Sequence, residues 1–218
     1  MATLLLVSAL SYLLGSIPFG YLLVRVFRGE DVRQSGSGNI GATNVSRKSP
    51  ALGVMTLLLD ALKGTCAVLL ANQVAMPTPT NLDVSWFPRL SLVALCAVLG
   101  HMFPVWLRFR GGKGVATSVG AFAVLIPRAT AASFVIFVIV VLISRYVSLA
   151  SISAAISLPI FAWFSLGDTP SRNLFTVLPI AIASLLVIAK HHENIRRLLA
   201  GTEHRFGSKP QEDSTHHE

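Results

Sequence analysis

Apolar residues in this chain fall in long runs, with none of the strict alternation of a half-buried strand. The runs cover residues 4–27, 52–75, 90–107, 115–126, 129–143, 147–166 and 174–189. An α-helix needs about 20 predominantly apolar residues to cross the hydrocarbon layer. The pattern therefore predicts an all-α, polytopic integral membrane helix bundle of about seven transmembrane segments. The fourth run, residues 115–126, is too short to cross a full layer without local thinning or protein cover. Pro127 and Arg128 separate it from the fifth. The first run lacks a basic leader and a small-residue cleavage site, so it reads as a retained span. No internal repeat divides the chain into matching halves.

Composition agrees with this pattern. Hydrophobic residues make up 53% of the 218 and charged residues only 13%, against about 25% charged in soluble domains. That excludes a soluble single-core enzyme and a disordered chain. The net charge of +8 changes the picture once the cations are placed. Thirteen of the eighteen Lys and Arg fall on one side of a seven-span arrangement: Arg28, Arg33, Arg47, Lys48, Arg108, Arg110, Lys113, Arg145, Lys190, Arg196, Arg197, Arg205 and Lys209. The opposite side holds three, Arg89, Arg128 and Arg172. Positive charge marks the cytoplasmic side, so the N-terminus is expected outside and the C-terminus in the cytoplasm. The basic balance is thereby explained without a nucleic-acid partner. Residues 207–218 are polar and are expected to form a disordered tail beyond a domain of residues 1–206. Cys66 and Cys96 lie inside apolar runs and read as small buried hydrophobes. No metal-ligating spacing occurs.

The unusual polar stretches all face the cationic side. In the first, Gly36, Gly38 and Gly41 fit G-x-G-x-x-G, but a dinucleotide site needs a strand before it and a βαβ unit around it. What remains is a loop of Ser35, Ser37, Asn39, Thr43, Asn44 and Arg47. Its glycines would let backbone N–H groups turn inward as an anion nest. In the second, Gly111, Gly112 and Gly114 surround Lys113 immediately before a helix expected from Val115, an arrangement suited to phosphate. It is not a Walker A loop, because Gly114 follows the lysine. The third, residues 190–207, continues the last span as a basic amphipathic segment with Lys190, His191 and Asn194 on one face. Arg145, Ser148 and Ser151 lie in a further short loop. Asp60 and Lys63 share a helix face inside the second span, and His101 sits in the third. Asp60 and Lys63 read first as an internal ion pair and only second as part of a site, whereas His101 reads equally as a structural hydrogen bond and as a functional group.

Carboxylates are nearly absent from the first two loops, which argues against a magnesium-dependent phosphoryl-transfer site. The H-x-x-x-x-D pattern of one acyltransferase class is missing at all six histidines, and no G-x-S-x-G elbow occurs. A transferase built this way works by anion binding, positioning and electrostatic stabilisation. The same cationic loops suit a membrane permease for a phosphorylated small metabolite, although the lack of repeats counts against it. A purely structural subunit would leave the glycine loops unexplained.

Six stretches carry a resemblance: GSIPFGYLL (residues 15–23), GSGNIGATNVSR (36–47), DALKG (60–64), GHMFPVWLRFRGGKGVAT (100–117), SRYVSLASI (144–152) and HHENIRRLLAGTE (191–203). Together, and in this order, they resemble the bacterial acyl-phosphate:glycerol-3-phosphate acyltransferases, the PlsY family. The resemblance implies a multi-pass enzyme of the bacterial plasma (inner) membrane whose site faces the cytoplasm. Its reaction would move a fatty acyl group from acyl phosphate to the 1-hydroxyl of glycerol 3-phosphate, giving lysophosphatidic acid and inorganic phosphate in phospholipid biosynthesis. It implies catalytic roles for Ser37, Arg47, Lys113, His191 and Asn194. It also implies substrate binding by Gly36, Gly38, Asn39, Gly41, Thr43, Asn44, Gly111, Gly112, Gly114, Arg145, Ser148 and Ser151, and a structural role for Glu203. No cofactor is implied; the partners are the two substrates, membrane lipid and a soluble enzyme that produces acyl phosphate. His192 departs from the pattern, where a basic residue such as arginine is expected.

Overall fold

The computed structural model describes residues 1–75, 86–167 and 174–207. Arg172 and the tail beyond Gly207 lie outside the described residues. Among the described residues the structure is all helical: α1 (Ala2–Gly15), α2 (Phe19–Arg28), α3 (Ala42–Lys48), α4 (Pro50–Ala75), α5 (Phe87–Met102), α6 (Val115–Leu125), α7 (Pro127–Ser144), α8 (Val147–Ser165), α9 (Leu174–Ala189) and α10 (His192–Leu199).

Each of the seven apolar runs is helical. Five segments are long and apolar enough to cross a membrane: Ala2–Arg28, Pro50–Val74, Phe87–Leu107, Pro127–Ser144 and Val147–Ser165. A sixth follows if α9 and α10, bent by 52° at their junction, are one span. Helix α6, at 11 residues, falls short, as the length of its run predicts. The first span is broken at Pro18, which has no N–H to continue the ladder of α1; α2 resumes at Phe19. Exposed large side chains stud the long helices, among them Leu58, Phe134, Leu142, Ile143 and Phe164. Outward-facing apolar residues in such numbers suit a lipid solvent and not water.

Between helices in lipid the hydrophobic effect contributes little, and close backbone approach takes over. A Cβ on Gly120 of α6 would lie 1.9 Å from the Ala61 carbonyl oxygen of α4, and one on Gly64 of α4 2.3 Å from the Thr117 oxygen of α6. The short helix is thus packed closely against α4. Gly15 and Gly100 do the same for α1 against α5. The main core gathers Val98, Met102, Phe122 and Ile180 from α5, α6 and α9.

Helices that alternate in direction bring the loops after α2, α5 and α7 and the segment after α9 to one end of the bundle. The first of these loops is more ordered than its glycine content suggests. It contains a 3₁₀ turn at Val32–Gln34, which Asp31 caps by accepting from the Arg33 N–H, and the helix α3. Val32, Ile40 and Val45 bury the inner side of this loop against Val24, Leu52 and Leu107.

Candidate active site

Asn44 organises the first polar loop. It is buried, its Nδ2 lies 2.9–3.1 Å from the carbonyls of Val32, Ser35 and Asn39, and its Oδ1 accepts from the Ser37 N–H at 3.0 Å. Expected as a substrate ligand, Asn44 spends its amide on the loop itself. The anion nest expected of this loop has three of its N–H groups engaged within the loop itself. The N–H groups of Ser37, Gly38 and Gly41 are donated to Asn44 Oδ1, the Ser35 carbonyl and Asn39 Oδ1. Gly36 and Gly38 have φ of 58° and 67°, the left-handed region that glycine enters without a Cβ clash. A Cβ on Gly36 would also meet Asn44 Oδ1 at 2.3 Å and Arg47 at 3.0 Å, so Arg47, from the last turn of α3, lies over this loop. Thr43 is exposed and offers its carbonyl to Ser46 Oγ.

The second loop rests on the end of α5. The Gly111 and Gly112 N–H groups donate to the Met102 and His101 carbonyls at 3.2 and 3.0 Å. Gly114, with φ of 83°, caps the start of α6 and packs on Met102. Lys113, between them, donates its Nζ to Asn194 Oδ1 of α10.

From Asn194 the network continues. Asn194 Nδ2 donates to Glu203 Oε1 at 2.6 Å, Ser148 Oγ donates to the same oxygen at 2.7 Å, and Arg197 Nε donates to Oε2 at 2.7 Å. Glu203 is therefore the hub that ties α10 to the start of α8, which gives physical content to the structural role expected of it. The chain after α10 returns across the α7–α8 turn: the Phe206 N–H donates to the Arg145 carbonyl at 2.6 Å. Arg145 itself is exposed there. Ser151 lies one turn below Ser148 and is buried, its Oγ donating back to the Val147 carbonyl at 2.9 Å.

His191 sits at the bend between α9 and α10, buried, with Nδ1 2.7 Å from the Val187 carbonyl. A carbonyl only accepts, so Nδ1 carries the hydrogen and Nε2 keeps a lone pair. Burial, reinforced by the charge of Lys113, pulls its pKa down to about 4. Burial likewise lowers Lys113 to about 8; Glu203 opposes the shift, and Arg197 and Arg47 add to it. Burial pushes the Glu203 carboxyl up, but the bonds from Asn194, Ser148 and Arg197 outweigh it and hold it below the ordinary range. At neutral pH the site thus presents charged Lys113 and Arg47, an ionised and fully engaged Glu203, and a neutral His191.

The structure brings Arg47, Lys113, His191, Asn194, Ser148 and Glu203 into one electrostatic neighbourhood. Arg197 was not among the residues expected in the site. Nothing local marks it, because its role depends on a carboxylate six positions away across a reversed turn.

The chain is also similar to known proteins over nearly its whole length. Residues 5–201 match the family model described as glycerol-3-phosphate acyltransferase. The chain is 47% identical over 197 residues to the glycerol-3-phosphate acyltransferase of Syntrophotalea carbinolica, covering 90% of this chain and 94% of that protein. It is 45% identical to that of Thermosynechococcus vestitus over 207 residues, covering 93% and 95%. Among solved structures it is similar to PlsY, an integral membrane glycerol 3-phosphate acyltransferase, in its glycerol 3-phosphate form. The TM-score is 0.82 at 40% identity, covering 94% of this chain and 96% of that one. The lysophosphatidic acid form of PlsY gives 0.79 at 38% identity, covering 94% and 95%.

Proposed function

Since the chain belongs to the glycerol-3-phosphate acyltransferase family, we propose that it transfers a fatty acyl group from acyl phosphate to the 1-hydroxyl of glycerol 3-phosphate. The products are 1-acyl-glycerol 3-phosphate and inorganic phosphate, which places the enzyme in bacterial phospholipid synthesis. The protein crosses the plasma membrane seven times, with its N-terminus outside and its site and C-terminus in the cytoplasm. The charge count by loop supports this orientation. The short α6, held against α4, makes one crossing under protein cover, and acyl chain and product leave sideways between helices.

The observation that carries this reading is the hydrogen-bonded chain Lys113–Asn194–Glu203–Ser148, with Arg47 and His191 acting on the same charges. Such a site binds phosphate by cations, and its central carboxylate, Glu203, is already engaged by three donors. An acyl phosphate is already an activated mixed anhydride, so the reaction needs no covalent enzyme intermediate. The glycerol hydroxyl oxygen attacks the acyl carbon, the bond from that carbon to the phosphate oxygen breaks, and the hydroxyl proton ends on the departing phosphate. Lys113 and Arg47 stabilise the charge that moves onto that phosphate. His191 Nε2 accepts the hydroxyl hydrogen bond and aims the oxygen. With a pKa near 4, it stays neutral and directs the proton to the phosphate instead of keeping it.

Purified protein given acyl phosphate and glycerol 3-phosphate is expected to release lysophosphatidate and phosphate in equal amounts. Product from acyl-CoA but not from acyl phosphate would overturn the donor. No product from either would favour solute transport. Loss of its aiming group should make the His191→Phe enzyme slower by roughly 100-fold, with His191→Asn affected less; unchanged turnover in both would remove His191 from the reaction. The pH profile of kcat/KM reports groups of the free enzyme. Lys113 acts as a cation, and its charge is lost as pH rises through about 8. The profile should therefore fall on the alkaline side from about that pH, and Lys113→Arg should carry the limb out of the measurable range.

A further inference from the structure

The loop that carries Lys113 lies on a buried group of ionisable side chains that the reaction does not touch. Asp60 and Lys63 of α4 form an ion pair at 2.7 Å, with side chains 3% and 1% exposed. Lys63 also donates to the Ile17 carbonyl at 2.7 Å, at the break before Pro18. His101, near the end of α5 and buried as deeply, turns Nδ1 toward the same Asp60 oxygen at 3.4 Å. Its opposite ring edge meets the loop. A Cβ built on Gly112 would stand 2.0 Å from His101 Nε2, and one on Gly111 2.2 Å from the His101 carbonyl oxygen. Backbone is thus in direct contact with imidazole at Gly112, one residue before Lys113.

A buried ion pair is a weak source of stability, because desolvation consumes most of the Coulombic gain. Neutrality in a membrane span would require only Asp60 and Lys63. The third member, with one edge on the pair and the other beneath the loop, has a geometric consequence: it sets where the backbone of residues 111–114 comes to rest. We propose that His101, packed between Asp60 and the loop, is a positioning residue that supports the Gly112 backbone and fixes the height at which Lys113 meets the substrate phosphate. This rests on the reading of Lys113 as a phosphate ligand.

The test compares His101→Ala, Gly112→Ala and the double variant in purified, folded protein. Each single change shifts the loop, downward or upward, and should lower kcat per folded molecule roughly 10- to 100-fold, the scale of a misplacement of about 1 Å. In the double variant the new methyl group occupies the space vacated by the imidazole, so it should be at least tenfold faster than Gly112→Ala alone. In His101→Ala the alkaline limb of kcat/KM should move above 8, toward the ordinary lysine value, as Lys113 loses its desolvated place among Arg47, Glu193, Arg197 and Glu203. Additive losses with an unmoved limb would overturn the proposal. Labelling of the Lys113 amine by a water-soluble amine reagent across pH, read by mass spectrometry, follows the same placement without turnover. It decides the point even if the acyl-phosphate reaction proves to be the wrong one: an unchanged labelling midpoint in His101→Ala overturns the positioning role, and a raised midpoint supports it. If His101→Ala does not fold, His101→Asn, which is shorter beneath Gly112 and keeps a nitrogen facing Asp60, takes its place in the same comparison.

Discussion

Lys113→Met should lower kcat/KM for the acyl transfer by about 10³-fold, the loss seen when one preorganised donor to a developing oxyanion is removed. The lysine is suited to this role by its placement. It is drawn into the protein far enough for burial to bring its pKa to about 8, yet at neutral pH it keeps its charge. A charge in such a partly desolvated place acts more strongly than one in bulk water. Its position is fixed by Asn194, which accepts from Nζ while itself anchored to Glu203. Methionine keeps the length of the side chain and removes the charge, so its effect isolates the electrostatic contribution. Lys113→Arg keeps the charge but cannot reproduce a single compact donor to Asn194, and should retain an intermediate rate. Steady-state kinetics with both substrates varied would check this; a methionine variant within tenfold of wild type would place phosphate binding elsewhere.

Glu203→Ala should be nearly as damaging, by about 10²-fold, although Glu203 contacts no substrate in this mechanism. Its loss strands Asn194 Nδ2, Ser148 Oγ and Arg197 Nε together and unties α10 from α8. Glu203→Gln separates geometry from charge. The amide is nearly the same shape, but it removes the negative charge that opposes deprotonation of Lys113 and leaves Arg197 uncompensated beside it. Both changes lower the Lys113 pKa, so the alkaline limb of kcat/KM should move below 8, opposite to the shift expected for His101→Ala. A limb that stays in place in Glu203→Gln would show that Glu203 does not set the charge of Lys113.

Much of the fold could be read from the chain alone. A run of about 20 apolar residues implies a spanning helix because lipid cannot satisfy an open backbone, and the deficit in the fourth run became the short α6. The break of the first span at Pro18 and the helix α3 inside the first polar loop were not legible in the same way. The first is hidden by continuous hydropathy, and the second by glycines that read as loop. The candidate site was legible as a set of residue types, cations and small polar groups on one side. It was not legible as a division of labour. Asn44 and Arg47 belong to one motif, yet Asn44 is consumed in holding the loop while Arg47 lies over it.

The sequence by itself determined the class of protein, the number of helical runs, the side on which positive charge collects, and the kinds of group available to hold phosphate. These are local properties, set by hydropathy over one span and by the chemistry of single side chains. Only the tertiary structure decided which of those groups meet. Lys113 and Asn194 are 81 positions apart, and Ser148 and Glu203 are 55 apart. His101 lies beneath Gly112 because α5 ends where the loop turns back on it. Such contacts follow from how helices pack through their glycines and from which buried polar atoms must find partners, and both are properties of the assembled bundle.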